Sequence, residues 1–411
     1  MEQRLLVLGA GRHQKELIRR AEARGLRVVA SDYYPNAPGK AIASYPQDVD
    51  ATATAENIML ARKYGVRGVI TCGSDLALVP MADVAAALGL PCYLTPEAAR
   101  TATNKTRMAR AFAAHGVPHA PWREVRSAGA ALAFPLPVVV KPADSQGQRG
   151  VSRVSEQGKL SGAIDAALAA SRDGTAIVEP FIEGYEVTAN AWAKPDGVRI
   201  QMITDRITYN PLPAIGVCFQ HVYPSLRAAG LVPRIRETLS AIAAAYGVRD
   251  APLYVQILVT PKGLSVVEAA CRVGGGHEAS LCPIATGIEL LDRLIDLALE
   301  GRSAPIEDAH DESGSRGHAL VNFLLPNPGR VHELNGMANN PLIVEGEYYI
   351  RPGHDCRPVV DGQGRIGYFI VRAATRAQLL ERAAAAYRSL TVADVSGRDL
   401  LFIPERKELL G

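Results

Sequence analysis

The sequence predicts an α/β protein that opens with a parallel sheet and continues into an α+β unit. First, short apolar runs alternate with helical segments near the N-terminus, as in RLLVL at 4–8 and LRVVASD at 26–32. Second, EVTANAWAK and VRIQMITDR, from Glu186 onward, alternate polar and apolar residues as antiparallel strands do. Third, 411 residues exceed what one hydrophobic core supports, so we expect two or three packed units.

The first unit is predicted at residues 1–100. A helical stretch separates its first two strands, and the pattern then repeats with a helix at Glu56–Tyr64, a strand ending at Cys72 and a helix at Leu76–Leu88. The run LPCYL at 90–94 is interpreted as a further strand. Such alternation favours a parallel sheet covered by helices.

A larger central unit is predicted at 101–304, with a mobile lid at about 115–185. It contains the helix NKTRMARAFAAHG and the strands FPLPVVVKPA and TAIVEPFI around a turn rich in Gly, Ser and Gln. The polar run DAHDESGSRG, at 308–317, has the composition of a linker. A small α+β unit at 305–411 follows, with strands HALVNFLL and RIGYFIVRA and an alanine-rich helix.

Composition and charge exclude several classes of protein. Hydrophobic residues make up 48% and charged residues 21%, which is typical of a globular chain. The net charge of +3 is too small to favour nucleic acid or an anionic membrane as partner. No apolar run reaches membrane-spanning length, no signal pattern is present, and the six cysteines form no CxxC pair. We therefore expect a soluble cytoplasmic protein with reduced thiols and neither zinc nor disulfides.

The segment GAGRHQ after the first strand partly matches a dinucleotide-binding fingerprint. Asp32 closes the next strand, where such sites keep a ribose-binding acid, but Gln14 takes the place of the third glycine. The alternative is a helix N-terminus in a parallel sheet, which could hold a small anionic substrate.

A second segment, VVVKPADSQGQRGV, has the residue types that phosphate binding needs. Lys141 ends a strand, and the small polar residues from Ser145 to Gly150 form a flexible loop with exposed backbone N–H groups. Alternatively, Lys141 is a solvated charge at a strand end. About 30 residues on, IVEPFIEGYEV offers carboxylates beside a backbone edge, either for a nucleoside or simply as an amphipathic edge strand.

Farther along, LYVQILVTPKGLSVVEAACRVGGG predicts a hairpin with Gln256 on one strand and Glu268 on the other. If the two side chains share a face, their oxygens suit Mg²⁺ that is also held by phosphates. Arg272, just past the second strand, would reach a phosphoryl group or a carboxylate as a bidentate donor.

The ordered set of Lys105 in NKTRM, Lys141, the SQGQRGV loop, VEPFIEGYE, Gln256 with Glu268, and Arg272 before three glycines resembles the ATP-grasp superfamily. The branch it resembles is that of carbamoyl-phosphate synthase, biotin carboxylase and bacterial L-amino acid ligases. The resemblance covers nearly the whole chain. It implies an ATP-grasp fold between an N-terminal Rossmann-like domain and a small C-terminal biotin-carboxylase-like domain.

The resemblance also implies a role for each matched residue. ATP phosphates would be bound by Lys105, Lys141, Ser145, Gln146, Gly147, Arg149, Gly150 and Val151. Adenine would meet Glu179 and the backbone at Phe181 and Ile182, and Glu186 would bind the ribose. Gln256 and Glu268 would hold Mg²⁺, or Mn²⁺ in its place. The family's usual asparagine two residues after the metal-binding glutamate is replaced here by Ala270, which weakens the expected metal site.

The implied activity is a ligase that activates a carboxylate as an acyl phosphate and joins it to an amine. Arg272 and His277 would be catalytic, and Arg272 with the backbone of Gly274 and Gly275 would stabilise an oxyanion. The substrates are expected to contact Ser74, Asp75, His221, Arg272, Gly274 and Gly275. Open alternatives are a packed His221, and Ser74 and Asp75 acting only as a helix cap.

Other functions remain open at this point. They are a formate- or bicarbonate-activating enzyme of the same superfamily, a nucleotide-binding regulatory protein without turnover, and a dinucleotide-dependent oxidoreductase. The expected partners are small-molecule carboxylates and amines, and relatives of this kind suggest a homodimer.

Overall fold

The computed structural model describes residues 2–129, 134–309 and 317–402. The first unit comprises β1 (Arg4–Leu8), α1 (Arg12–Ala23), β2 (Arg27–Ser31), β3 (Tyr45–Gln47), α2 (Thr54–Tyr64), β4 (Gly68–Ile70), α3 (Leu78–Leu88) and α4 (Pro96–Thr103). Its strands pair in parallel in the order β3-β2-β1-β4. The predicted parallel opening is thus confirmed.

The strand expected at 90–94 does not form. Leu90 donates its N–H to the carbonyl of Ala85 and so closes α3, and Pro91 has no N–H to give to a sheet. The segment instead runs as a loop into α4, which Thr95 caps by accepting a hydrogen bond from the N–H of Ala98.

A small antiparallel sheet with one helix against it begins the central unit. Its elements are α5 (Lys105–Ala114), β5 (Arg123–Val125), β6 (Val138–Pro142), β7 (Ser152–Val154), α6 (Gln157–Ala170) and β8 (Ala176–Pro180). The strand order is β5-β8-β6-β7. Apolar side chains of β6 and β8 pack against Leu160 and Ile164 of α6, which gives this sheet a core of its own.

The remaining elements build one eight-stranded sheet, short hairpins and covering helices. They are β9 (Tyr185–Lys194), β10 (Gly197–Tyr209), β11 (Val217–Tyr223), α7 (Val232–Tyr246), β12 (Ala251–Thr260), β13 (Gly263–Ala270), α8 (Glu278–Thr286), α9 (Leu290–Glu300), β14 (His318–Leu324), β15 (Gly329–Arg330), β16 (Glu333–Asn335), β17 (Glu345–Tyr348), β18 (Asp355–Cys356), β19 (Gly367–Ala373), α10 (Arg376–Ser389) and β20 (Thr391–Ala393). The order in the large sheet is β13-β12-β9-β10-β11-β14-β19-β17.

This sheet runs without a break across the predicted boundary at residue 305. β11 pairs antiparallel with β14, with Gln220 opposite Asn322, and the two side chains share a hydrogen bond of 2.7 Å. The C-terminal strands therefore share a hydrogen-bond ladder with the central unit, and the boundary stays a prediction. Residues 310–316 of the predicted linker lie outside the described residues.

Helix α9 ties the central unit to the N-terminal sheet. A Cβ at Gly68 of β4 would lie only 2.2 Å from the carbonyl oxygen of Ala298, so the backbones meet where no side chain fits. Beside this contact, Arg20 of α1 reaches Asp292 at 3.1 Å and Glu289 at 2.7 Å. The two units are held together at fixed distance.

We expect Gly68→Ala to lower the free energy of unfolding by about 1–3 kcal/mol, because the added methyl overpacks a backbone contact. The matched control is Gly162→Ala in α6, where a Cβ meets nothing within 4 Å. That change removes a helix-interior glycine and should stabilise by about 0.5–1 kcal/mol. Urea unfolding of both variants measures the two shifts, and equal signs would contradict the packing argument.

Candidate active site

A cavity of about 560 Å³ lies between the small sheet and the large sheet. Its volume is in the range of sites that hold a small molecule or cofactor. The predicted nucleotide and metal residues on its wall are Lys105, Lys141, Ser145, Gln146, Gly147, Val151, Glu179, Phe181, Ile182, Glu186, Gln256 and Glu268. Arg149 and Gly150 do not line it. The chain folds so that residues as far apart in sequence as Lys105 and Glu268 share one wall.

Two lysines stand at one end of the cavity, and each faces a carboxylate. Lys105, the first residue of α5, donates to the carbonyl of Ser145 at 2.9 Å and lies 3.0 Å from Glu268 Oε1. Lys141 of β6 lies 2.5 Å from Glu179 Oε2 on the neighbouring strand β8. Lys141 is buried, so it is not the solvated strand-end charge of the alternative interpretation.

The loop that follows β6 adopts left-handed backbone conformations at Gly147, Gln148 and Gly150. At Gly150 a Cβ would lie 2.8 Å from both Ala170 and Pro142, which explains a glycine there without any ligand contact. Gly150 lines a neighbouring cavity instead. Arg149 turns back and donates to Ser145 Oγ at 3.2 Å. Both residues shape the loop, and their direct contact with phosphate remains a prediction.

The backbone expected to meet adenine is only partly free. The N–H of Phe181 donates to the carbonyl of Pro137 at 2.9 Å, so this group is not free, and contact between the Phe181 backbone and adenine stays a prediction. The guanidinium of Arg153 stacks over the Phe181 ring at 3.9 Å. Glu186 forms an ion pair with the buried Arg206 rather than standing free at the cavity wall.

The candidate metal ligands lie on one face. Gln256 and Glu268 are direct partners across β12 and β13, as the hairpin predicts. The Gln256 amide donates to the Tyr254 hydroxyl at 3.2 Å, which leaves its oxygen for a cation. Burial alone would raise the pKa of Glu268, but the charge and hydrogen bond of Lys105 and the charges of Arg272 and Lys141 together outweigh burial, so the net pKa is lowered.

Ala270 is buried two positions after Glu268 and offers no further oxygen. Among the described residues no group of three or more His, Cys, Asp or Glu could hold a metal ion. The donor set therefore fits Mg²⁺, a hard cation commonly bound by one or two protein oxygens with the rest from phosphates and water.

Arg272 is fixed by a residue of the first unit. Its Nε and Nη2 donate to the two carboxylate oxygens of Asp75 at 2.6 and 2.9 Å, and both side chains are buried. Burial alone would lower the pKa of Arg272, but the charge and hydrogen bonds of Asp75, together with Tyr254 and Glu268, outweigh burial, so the pKa is raised. Asp75 also donates its N–H to Gln146 Oε1 at 3.2 Å. The predicted substrate contact of Asp75 is thus corrected, because its carboxylate is occupied by Arg272.

Ser74 and Asp75 do not cap a helix either. Helix α3 begins at Leu78 without any side-chain cap. The alternative interpretation of this pair is therefore wrong, and Ser74 as a substrate ligand remains a prediction.

The three glycines after Arg272 are required by close packing. A Cβ at Gly274 would lie 2.5 Å from Glu278, one at Gly275 would lie 2.6 Å from the carbonyl oxygen of Gly73, and one at Gly276 would lie 2.8 Å from Glu278 Oε1. The glycines thus let the first unit and helix α8 approach Arg272. This packing does not test whether the backbone of Gly274 and Gly275 stabilises an oxyanion, so that role stays a prediction.

His221 is 1% exposed and sits in a polar pocket inside the large sheet. Its Nδ1 lies 3.1 Å from Thr204 Oγ1, and its Nε2 lies 3.2 Å from Cys218 Sγ and 3.5 Å from Glu278 Oε1. Burial, followed by the charges of Arg206 and Arg365, lowers the pKa of His221 well below its usual value. A neutral, packed imidazole agrees with the structural alternative.

His277 contacts the C-terminal unit. Its ring stacks on Tyr368 with centroids 3.4 Å apart, and its Nε2 lies 2.5 Å from the Tyr349 hydroxyl. Burial lowers the pKa of His277 well below its usual value. Through these contacts His277 packs the central unit against the C-terminal unit. Neither contact involves Arg272, so its catalytic role stays a prediction.

Two charged residues of this region escaped the sequence analysis. Glu278, directly after His277, is fully buried, and Arg365 precedes β19 with its Nε enclosed. The available signals were weak: an acid opening an apolar helix, and an arginine between Gly364 and Ile366 at the start of a buried strand. From the sequence alone, neither residue could be distinguished from a solvated surface charge.

The partial dinucleotide fingerprint has a structural explanation. Gln14 is 5% exposed and donates to the carbonyl of Cys72 at 2.5 Å, and its side chain fills the space beside Gly9. Asp32 accepts a hydrogen bond from the N–H of Ala10 at 2.8 Å, so the acid holds the loop. The groups that would receive a dinucleotide are occupied by the protein itself.

Two protein families match parts of the chain. The family described as the ATP-grasp domain matches residues 134–280, and the one described as L-amino acid ligase C-terminal domain 2 matches residues 322–394. The first segment contains three of the four strands of the small sheet (β6, β7 and β8) and the Gln256–Glu268 hairpin, and the second contains Arg365. In the described part of the chain, no helix combines the length and the apolar character that crossing a membrane requires.

Known proteins resemble the chain in sequence and in fold. A formate-dependent phosphoribosylglycinamide formyltransferase of Rhodococcus jostii (strain RHA1) is 31% identical over 198 residues, which is 45% of this chain and 48% of that protein. The chain thus spans about half the length of this relative. An L-amino acid ligase of Bacillus licheniformis superimposes with a TM-score of 0.80 at 18% identity, covering 95% of this chain and 98% of that one. A phosphoribosylglycinamide synthetase of Anaerococcus prevotii gives 0.74 at 23% identity over 95% and 99% of the chains.

Because His221 is neutral in the fold, the unfolded chain binds one more proton than the folded chain below pH 6.5. We therefore expect the stability to fall as the pH decreases from 7 to 5, with this residue contributing at most about 1.4 kcal/mol per pH unit. Urea unfolding of His221→Gln should show a flatter pH dependence. The exposed His354, changed to Gln, is the control and should keep the full slope; equal slopes in both variants would contradict the assignment.

Proposed function

We propose that the chain is an ATP-dependent carboxylate–amine ligase acting on small substrates, at least one of them an amino acid, because residues 134–280 match the ATP-grasp domain family. One observation carries this proposal. Lys105 and Lys141 stand at one end of a 560 Å³ cavity, beside the Gln256–Glu268 pair. Cations and carboxylate oxygens in one recess are what transfer of a phosphoryl group requires.

Condensation of a carboxylate with an amine is thermodynamically unfavourable in water, so the carboxylate must first be activated. Transfer of the γ-phosphoryl group of ATP to the carboxylate makes its carbonyl carbon electrophilic, and the amine then displaces phosphate. Catalysis of such a transfer is mainly positioning and charge stabilisation and needs no nucleophile from the protein. The cavity offers lysines for that task.

Lys105 and Lys141 are proposed to bind the phosphates by exchanging their present carboxylate partners for phosphate oxygens. The loop from Ser145 to Val151 lies over the same end of the cavity and would cover them. Bound Mg²⁺, held by Glu268 and Gln256, would supply charge neutralisation on the phosphates. Exclusion of water by the loop would protect the activated carboxylate from hydrolysis.

Arg272 is proposed to receive the carboxylate of the first substrate and the oxyanion that forms when the amine attacks. It is buried four residues after Glu268, which lines the cavity, and Asp75 fixes the plane of its guanidinium through two hydrogen bonds. Its Nη1 makes a single contact of 3.3 Å with the carbonyl of Val273. That edge of the fork is the one left to meet a substrate.

The choice of an amino acid rests on the match of residues 322–394 to the second C-terminal domain of L-amino acid ligases. A second candidate is activation of formate, favoured by the 31% identity to formate-dependent phosphoribosylglycinamide formyltransferases. An oxidoreductase is disfavoured because Gln14 fills the dinucleotide site. We further propose a cytoplasmic homodimer, on the family resemblance alone.

The test measures ADP and phosphate release across the standard amino acids, singly and in pairs, with formate and bicarbonate as further carboxylates. We expect release with at least one pair of amino acids and a fall of at least about 100-fold in Glu268→Ala and Arg272→Ala, because each removes charge stabilisation of the transition state. Glu300→Ala, an exposed acid at the end of α9, is the control and should keep full activity. Full activity in both site variants would refute the site, and release only with formate would establish the second candidate.

A further inference from the structure

Two neighbouring residues of the loop after β6 are each held by a different unit of the chain. Gln146 Oε1 accepts the N–H of Asp75, which belongs to the first unit, at 3.2 Å. The carbonyl of Gly147 accepts the N–H of Gly362, which belongs to the C-terminal unit, at 2.9 Å. The loop itself joins β6 to β7 of the small sheet, which is separate from the other sheets. Movement of the small sheet relative to the other units would therefore break both hydrogen bonds.

The two contacts differ in kind. At Gly362 the contact is made by main chain alone, and a Cβ there would lie 3.3 Å from the carbonyl oxygen of Gly147, so the two backbones approach closely. At Asp75 the contact depends on the side chain of Gln146. A substitution of Gln146 can therefore remove the bond to the first unit and leave the bond to the C-terminal unit in place.

Asp75 connects the loop to Arg272. Its N–H is bound by Gln146, and its two carboxylate oxygens accept hydrogen bonds from Arg272 Nε and Nη2 at 2.6 and 2.9 Å. Both charged side chains are buried. Because a bidentate pair fixes the relative orientation of carboxylate and guanidinium, a shift of the Asp75 backbone is passed on to Arg272.

This connection runs alongside the nucleotide cavity. Gln146 lines that cavity together with Lys105, Ser145 and Glu268. The same four residues and Asp75 also line a smaller recess. The recess thus links the end of the cavity that holds the lysine and the candidate metal ligand to the buried ion pair of Asp75.

We propose that Gln146 is a positioning residue that couples nucleotide binding to Arg272. When the loop covers the phosphates, Gln146 holds the backbone of Asp75, and Asp75 holds Arg272 in the orientation that receives a carboxylate. This inference rests on the proposed ligase function and adds a link between its two substrate sites. A phosphate oxygen accepts hydrogen bonds, so only the amide nitrogen of Gln146 can meet it, and the amide oxygen is left for Asp75.

The size of the coupling follows from the kind of bond. One neutral hydrogen bond separates the coupled from the uncoupled state, which corresponds to a change in affinity of about 3- to 10-fold. The coupling must also be reciprocal: if the nucleotide tightens binding of the carboxylate, the carboxylate tightens binding of the nucleotide by the same factor.

Hydrogen exchange tests the link with a nucleotide alone. The probe is Mg²⁺ with AMP-PNP, the β,γ-imido analogue of ATP, and the variant is Gln146→Met, which removes the acceptor and keeps the side-chain length. We expect the probe to slow exchange of the Asp75 amide about 3- to 10-fold in wild type and less than about 2-fold in the variant. The Gly362 amide should be slowed in both proteins, because the carbonyl of Gly147 is unchanged.

Two further variants serve as checks. Gln146→Asn keeps the amide group but shortens the side chain, so it should behave like Gln146→Met. Gln157→Met, at an exposed glutamine that begins α6 in the same unit as the loop, should behave like wild type. Urea unfolding of all three variants establishes that each is folded under the conditions of exchange.

The second measurement is the dissociation constant of Mg²⁺ with AMP-PNP, without and with the amino acid that supports the fastest ADP release. We expect the ratio of the two constants to be about 3 to 10 in wild type and below about 2 in Gln146→Met. Asp75→Asn should lower the ratio as well. Adding Gln146→Met to Asp75→Asn should lower it no further, because both changes interrupt the same chain of contacts.

Three outcomes would overturn the coupling: equal slowing of the Asp75 amide in wild type and Gln146→Met, an unchanged ratio in that variant, or additive effects of the two substitutions. Each of these leaves the proposed ligase function standing. If Mg²⁺ with AMP-PNP does not bind to wild type, the proposed function is refuted and the coupling with it.

Discussion

The bidentate ion pair between Asp75 and Arg272 is the interaction on which the arrangement of the site depends. A buried guanidinium needs a partner with matching geometry, and here the partner comes from a different unit of the chain. The pair holds only if the backbones come close, and the glycine at 275 allows Gly73 to lie against it. The predicted catalytic arginine is thus positioned by the N-terminal sheet, and separation of the units would leave its charge buried and unpaired.

The large sheet imposes a second constraint. Because β14 and β19 extend the ladder that begins with β13 and β12, the C-terminal unit cannot shift without breaking main-chain hydrogen bonds. Arg365 stands at the start of β19, and His221 lies on β11 in the same sheet. The small sheet, by contrast, is separate from this ladder and has its own core. The large sheet thus holds His221 and leads back to Arg365, whereas the small sheet leads into the loop at Ser145–Val151.

Sequence reasoning grouped the predicted nucleotide residues, which share one cavity wall, because they lie in or beside recognisable local patterns. Lys141 follows an apolar strand and precedes a loop of small residues, and Gln256 and Glu268 sit symmetrically about the turn TPKG. Local pattern and strand register are enough to put such residues on one wall. The cavity lining agrees with that expectation.

The same reasoning failed where partners come from distant parts of the chain. Asp75 was interpreted as a substrate ligand because its tie to Arg272 spans 197 positions. The N–H of Phe181 was taken as free because its use by Pro137 depends on the pairing of β6 and β8. Glu278 and Arg365 were missed because an unpaired charge can be recognised only when every neighbour is known.

The two ends of the site differ in how their charges are balanced. On the nucleotide side Glu179, Glu186 and Glu268 each have a cation from the protein. A ligand that binds there exchanges one set of ion pairs for another, so the free cavity is already neutralised. At the junction of the three units, by contrast, Glu278 Oε1 and Arg365 Nε have no hydrogen-bond partner among the described residues. An enclosed polar atom without a partner costs free energy on folding, so the junction is balanced less well than the cavity.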